Sequence, residues 1–434
     1  MKGNVAYPAA NENSRQIYKI LTTCRRNGIR LVGIVIQADF LYGADAMPSS
    51  AAISSRSVYS LIRSLLISAV VLTWCMGTFA QDSSNPAVGL GPQVHTALGG
   101  FILGYDIQQN GTEGLLAESL ALAGGKDSAA VETFDQKTGK ILKIVTQQDS
   151  TFNDFVTLGI FGNGDGLVEE ELSSGGFVNK RVYGQMNPLN GNKFTAMWTP
   201  PFTKDDLIIS MPDAQGSPNT AILYFDNGGS FDSFVMGANV AANTFTAPVT
   251  ITDPDFEFNV SPVMTYDSKI NTAILGGSLG CFGCSTQIGL VNLSRGKFSE
   301  FGGLGFGFVN GIAVDSDDGI VCTVTEDDFS VEFYNLATQT GSIEVLQGAT
   351  NQAQSGGDVE YDPIHKLFLI GQEFSSIAPT GSSILVYDTK GNFVEAVNGL
   401  SLPASPAYMA LHPSARAGYV IITPALTSLQ QFTY

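Results

Sequence analysis

The sequence predicts an all-β fold: a seven-bladed β-propeller of four-stranded antiparallel blades, its ring closed by an N-terminal strand. Three observations predict it. One hairpin pattern recurs six times, and a second hairpin type interleaves with it. Together they give four strands per unit at a spacing of about fifty residues, the repeat of a propeller blade. The last unit stops at QQFTY (430–434) with no room for an outer strand, while PAVGLGPQVHTA (86–97) precedes the first unit and is free to supply it. Closing the ring in this way pairs two sheet edges that would otherwise template aggregation.

Two segments precede the repeats. Residues 1–46 include CRRNGIRLVGIVIQ, show no clear period or cap, and read as an unstructured extension or a misassigned start. Residues 47–80 read as a secretory signal. Arg56 and Arg63 lead into the apolar run SLLISAVVLTWCM (64–76), and Thr78 and Ala80 stand at −3 and −1 of a cleavage site before Gln81. The run is shorter than the roughly 18–20 residues of a membrane span; an uncleaved N-terminal anchor is the alternative. The mature chain, 81–434, is therefore expected to be extracellular or periplasmic, with no stable membrane span.

The outer hairpins are VETFDQKTGKILKIV (131–145), YGQMNPLNGNKFTAMW (183–198), ILYFDNGGSFDSFV (222–235), IGLVNLSRGKFSEF (288–301), VEFYNLATQTGSIEVL (331–346) and ILVYDTKGNFVEAV (384–397). Their anchors are Asp135, Asn187, Asp226, Asn292, Asn335 and Asp388. Alternating polarity makes the strands, and Gly supplies the positive φ of the turns. Inner hairpins lie in 101–119, 155–171, 262–277, 311–326, 358–373 and 408–423, with a poorly formed copy in 196–211. The inner Asp residues Asp106, Asp267, Asp315 and Asp362 recur too regularly for catalysis. They read, like the outer anchors, as turn residues whose side chains bond the backbone two positions on.

Charge separates the parts. Residues 1–80 hold 8 basic and 3 acidic side chains, whereas 81–434 hold 14 and 37. The acidic bulk has no basic stripe, which excludes nucleic acid as a partner. At 44% hydrophobic and 14% charged residues, the chain is too apolar to be disordered.

In a four-stranded blade, the link into the innermost strand and the turn after the second strand emerge on one face, around the channel mouth. Asn153, Asp154, Asn310 and Asp358 start innermost strands; Glu118, Glu171, Glu326 and Glu373 end second strands. From these, Asp154, Asn310, Glu326, Asp358 and Glu373 form a candidate oxygen-ligand set for Ca²⁺ or another divalent cation. The alternative is a set of solvated loop acids. Cys281 and Cys284 (CFGC) read as a local disulfide in an oxidising compartment, and Cys322 (IVCTV) as a small buried hydrophobe. Of the histidines, His95 falls in the closing strand, while His365 and His412 sit in turns opposite the mouth.

Across about 100–434 the blade pattern resembles the YVTN, NHL and lactonase-like propellers; neither a WD dipeptide nor a kelch double glycine recurs. Such propellers range from lactone hydrolysis to protein or polysaccharide binding, so the fold does not choose between them. In the lactonase-like group, the resemblance implies a divalent ion at the mouth held by acidic and amide side chains. Two functions follow as expectations. The first is a monomeric binding module presenting mouth-face loops to a protein, glycan or small molecule, helped by the long insertion 237–259. The second is a metal-dependent hydrolase of lactones or related esters at the channel mouth, for which three histidines offer little acid–base capacity.

Overall fold

The period-2 segments emerge as strands in the computed structural model. It describes residues 21–26, 29–34 and 88–434, less 123–125, 149–152, 175–176, 192–193, 199–205, 211–219, 227–232, 240–241, 243, 252–262, 279–284, 308, 326–329, 348–355, 373–381, 401, 403–407 and 423–425. The chain divides into two units, Met1–Ala80 and Gln81–Tyr434. In the first, β1 (Leu21–Arg26) and β2 (Ile29–Ile34) pair as an antiparallel hairpin within the segment set aside as an extension. Among the described residues, no helix is long and apolar enough to cross a membrane.

The second unit is a seven-bladed propeller. It opens with β3 (Gly89–His95). Blade 1 runs outward as β4 (Phe101–Ile107), β5 (Glu113–Leu122), β6 (Lys126–Asp135) and β7 (Ile141–Gln148). Blade 2 is β8 (Asn153–Ile160), β9 (Gly166–Ser174), β10 (Phe177–Met186) and β11 (Thr195–Trp198). Blade 3 is β12 (Asp206–Ser210), β13 (Thr220–Asp226) and β14 (Phe234–Asn239), edged by β15 (Thr244–Phe245) and β16 (Val249–Thr250). Blade 4 is β17 (Val263–Asp267), β18 (Thr272–Ser278), β19 (Ser285–Asn292) and β20 (Lys297–Phe306). Blade 5 is β21 (Val309–Asp315), β22 (Ile320–Thr325), β23 (Ser330–Asn335) and β24 (Thr340–Val345). Blade 6 is β25 (Gly356–Asp362), β26 (Leu367–Gln372), β27 (Ser382–Asp388) and β28 (Phe393–Leu400). Blade 7 is β29 (Met409–His412), β30 (Ala417–Ile422) and β31 (Ser428–Thr433), completed by β3. The N-terminal strand therefore closes the ring as expected, with Val94 opposite Leu429 and His95 opposite Ser428.

The core lies between blades. Leu115, Ala117 and Val131 of blade 1 pack on Phe155, Val168 and Met186 of blade 2. Val324 and Phe333 of blade 5 meet Phe368 and Ile370 of blade 6, and Leu369 and Val386 of blade 6 meet Val420 and Phe432 of blade 7. Middle strands are thus apolar on both faces, one for each neighbouring blade. Each fully buried side chain of this kind contributes about 1.5–3 kcal/mol.

Blade 3 corrects the sequence reading in three places. Residues 196–211 are not a hairpin: β11 is the outer strand of blade 2 and β12 the inner strand of blade 3. ILYFDNGGSFDSFV is the hairpin between second and third strands, β13 and β14, so Asp226 stands at the mouth rather than at an outer turn. The supposed insertion 237–259 contains the end of β14 together with β15 and β16, which pair with β14. A turn between two alternating strands has the same local pattern wherever in the blade it falls.

The innermost strands approach one another closely, and glycine permits it. A Cβ on Gly104 would lie 2.3 Å from the Thr157 carbonyl oxygen of blade 2, and one on Gly311 would lie 2.4 Å from that of Gly357 in blade 6. Among the described residues, four of these strands are bulged, between Ile102 and Gly104, Thr157 and Gly159, Val309 and Gly311, and Gly356 and Val359. Bulges bend a strand and re-aim its side chains. Here they take Leu103, Asn310 and Asp358 out of the regular ladder.

Candidate functional site

The turn aspartates behave as structural groups. Asp267 accepts from the N–H groups of Lys269 and Ile270, Asp315 from Asp317 and Asp318, and Asp362 from Ile364 and His365. Among the outer anchors, Asp135, Asn292, Asn335 and Asp388 accept from Thr138, Arg295, Ala337 and Lys390 in the same manner. Asp106 is the exception. The turn of blade 1 closes at Gln108, whose N–H donates to the Glu113 carbonyl. Asp106 therefore lies two residues up the strand from the turn, where it pairs with Leu115. Glu360, two residues before Asp362 and paired with Leu369, occupies the equivalent place in blade 6.

These two acids and Asp358 form the most distinctive chemistry of the channel wall. Asp358 accepts from the Met409 N–H of blade 7 at 2.7 Å, and Asp106 from the Ile160 N–H of blade 2 at 2.8 Å and from its neighbour Ile107. Burial pushes both carboxyls up to about 6, against the lowering effect of those amide donors. Glu360 is pushed well above the carboxylate range, first by burial and then by the charges of Asp358 and Asp106. All three remain half-buried, so solvent reaches them.

Exposed aromatic and apolar side chains lie on β4 and just before β29. Phe101 at the start of β4 is 58% exposed, Tyr408 just before β29 is 63% exposed, and the bulged Leu103 is 40% exposed. The Tyr105 hydroxyl donates to the Tyr408 carbonyl and accepts from the Ile421 N–H, extending the β29–β30 ladder with a side chain. Its phenol is raised well above its usual value by burial, then by Asp358.

Of the five expected metal ligands, Asn310 is the half-buried bulge residue of β21 and Asp358 belongs to the trio just described. The backbone of Asp154 lies in β8 opposite Glu171, and its side chain is outside the described residues, as are Glu326 and Glu373. Among the described residues, no three His, Cys, Asp or Glu side chains group in a way that could hold a metal ion. Glu118 is not a mouth ligand: it is fully buried and accepts from the backbone of Leu98 and Gly100. Cys281 and Cys284 lie outside the described residues, and Cys322 is fully buried with its thiol raised by burial. The sequence reading missed Glu360, whose signal was an acid on the strand VEYD between apolar neighbours, and misassigned Asp106.

No family model and no curated protein matches the chain. Solved structures similar to it include the Dos1 propeller, at 10% identity over 80% of this chain and 95% of that one, with a TM-score of 0.50. U3-55K is similar at 11% identity over 77% and 96% of the two chains, also at 0.50. Likeness at this identity concerns the fold alone, and the chain has the fold of a seven-bladed β-propeller.

Proposed function

We propose that this protein is a binding propeller whose channel wall, on the side of blades 6, 7 and 1, takes a cationic group carried by its ligand. The observation that carries the reading is the trio Asp106, Asp358 and Glu360, half-buried near one another with raised proton affinity. Crowded carboxyls favour a cation, which removes their mutual repulsion. The exposed ring of Tyr408, within electrostatic reach of Asp358, favours an organic one, since aromatic faces attract ammonium and guanidinium groups. The acidic excess of 81–434 would draw such a ligand from a distance. A lysine or arginine side chain of a partner protein has this chemistry.

The pH dependence has a definite sign. A cation favours the ionised carboxyls, so binding releases protons wherever they are still held. Asp106 and Asp358 titrate near 6, so affinity is expected to rise from pH 5 to pH 7, by about tenfold for each carboxyl that ionises on binding. Calorimetric titration of the chain with a tetralysine peptide at the two pH values measures it. Asp358→Asn should weaken binding at pH 7 and flatten the pH dependence. Tetralysine that binds neither parent nor variant, or binds both equally at either pH, overturns the reading.

The divalent-ion hydrolase would need Asp154, Glu326 and Glu373 to join Asn310 and Asp358. Calcium titration of EDTA-treated protein separates the two. A cation held at a hundred times its dissociation constant stabilises by about 2.7 kcal/mol, and a melting shift of that size with calcium but none with tetralysine favours the hydrolase.

Export belongs to the same reading. The apolar run 64–76 and the small residues Thr78 and Ala80 ahead of Gln81 support it. N-terminal sequencing of secreted protein should start at Gln81. Secreted chains that still carry 64–76 would count against it.

A further inference from the structure

The seam where the ring closes holds two carboxyls with no part in the channel. Glu118 on β5 and Glu132 on β6 are both fully buried. Glu132 pairs with Leu116 and Glu118 with Ala130, which makes the two acids diagonal neighbours on one sheet face. The same face carries Leu116 and Phe134, which pack on Val94, Tyr419 and Leu429 of blade 7.

Both acids are bound to the connection between closing strand and first innermost strand. The Ala97 N–H donates to both oxygens of Glu132, at 3.0 and 3.2 Å. The N–H groups of Leu98 and Gly100 donate to the two oxygens of Glu118, at 2.9 and 3.0 Å. The backbone of 97–100 is thereby tied to blade 1 by side chains rather than by a ladder. A Cβ on Gly100 would lie 2.3 Å from the Ser119 carbonyl oxygen, so only glycine lets the connection lie this close.

Two carboxylates cannot share so buried a place. Burial first, then the hydrogen bond and charge of Glu118, push Glu132 up to about 9, so Glu132 holds its proton at neutral pH. The titratable side chains on β3, β4, β30 and β31 are engaged elsewhere. His95 bonds Ser428, Tyr105 bonds Tyr408 and Ile421, Asp106 bonds Ile107 and Ile160, and Tyr419 bonds Gln136. No base among them offsets the pair.

We infer that the Glu118–Glu132 pair is a proton-dependent latch on ring closure, holding the connection 97–100 while Glu132 keeps its proton and loosening it as that proton is lost. The sign follows from linkage. A carboxyl that holds its proton more tightly when the latch is shut contributes closure that is full below its ordinary value near 4.5 and declines up to about 9. One linked proton changes the opening equilibrium by at most about tenfold per pH unit.

Native-state hydrogen exchange of the full chain, corrected for intrinsic rates, reads this directly. Between pH 6 and pH 9 the parent should lose protection at 89–100 more steeply than at β13 and β14. Glu132→Gln keeps an acceptor for Ala97 and a donor for Glu118 at every pH, so it should abolish the extra slope while leaving protection at pH 6 intact. Equal slopes in parent and variant overturn the latch. Should the variant fail to fold, the parent still decides: protection at 89–100 that falls no faster than at β13 and β14 overturns it as well.

Discussion

Removing residues 86–97 from the chain is expected to abolish cooperative melting and drive the protein into aggregates. The deletion takes away β3 and with it five register pairs to β31, from Gly89 opposite Thr433 to His95 opposite Ser428. It also removes the side-chain bond from Gln93 to Gln430, the bond from Gln430 to the Gly91 carbonyl, and the Ala97 donor to Glu132. Val94 leaves the core at the seam of blades 7 and 1, and Leu429 loses its partner across the strands. A fully buried aliphatic side chain contributes about 1.5–3 kcal/mol, and each net hydrogen bond about 0.5–1.5 kcal/mol. The sum reaches the roughly 5–15 kcal/mol by which a folded domain is stable at all. β31 would then be a bare edge strand, ready to pair with another molecule. Scanning calorimetry and light scattering measure both effects. Val94→Asp tests the same seam with the strand retained and should lower the melting temperature without deleting a residue. A deletion variant that stays soluble and melts as one transition near the parent would refute this account of closure.

The blades were legible because alternation and turn chemistry are local, and a blade is built from local hairpins. Closure was legible for a simpler reason: the last repeat is one strand short and the first is preceded by one strand too many. What escaped was radial position. The sequence ILYFDNGGSFDSFV has the alternation and glycines of an outer hairpin, yet β13 and β14 are the second and third strands of their blade. Period and turn residues do not encode distance from the axis. The same limit hid the channel acids. GYDIQQNG carries Asp at the spacing of a turn anchor, but the turn closes two residues later, which turns Asp106 from a turn residue into a wall residue. Glu118 and Glu132 interrupt apolar strands, and only the fold reveals that each meets backbone donors from the closing connection.

Asp362→Ala is expected to be the most destabilising single substitution among the turn aspartates. Its carboxylate accepts from the N–H groups of Ile364 and His365, meets the His365 ring nitrogen Nδ1 at 2.7 Å, and accepts from the Tyr434 hydroxyl at 2.9 Å. Both Asp362 and Tyr434 are fully buried, so no water replaces what is lost. Burial and the adjoining Asp362 charge already push the Tyr434 phenol well above its usual value, so it stays a donor at any ordinary pH. Hydrogen bonds to a charged acceptor are worth about 1.5–3 kcal/mol each, and a buried hydroxyl left without a partner costs a further 1–3 kcal/mol. Allowing for overlap among bonds to one group, the loss should be about 3–5 kcal/mol. Asp388→Ala is the control. It removes the same kind of turn bonds, to Lys390 and Asn392, from an exposed loop where water takes their place. Its cost should stay near 1 kcal/mol. Tyr434→Phe completes a double-mutant cycle: it should cost less than Asp362→Ala, and the double variant should cost less than the sum, because the Tyr434–Asp362 bond is lost only once. Chemical denaturation of the four variants and the parent gives the free energies. Equal costs for Asp362→Ala and Asp388→Ala would mean that burial adds nothing at this turn. Strict additivity with Tyr434→Phe would mean that the terminal tyrosine is held by packing on Phe432 and Arg416 rather than by Asp362.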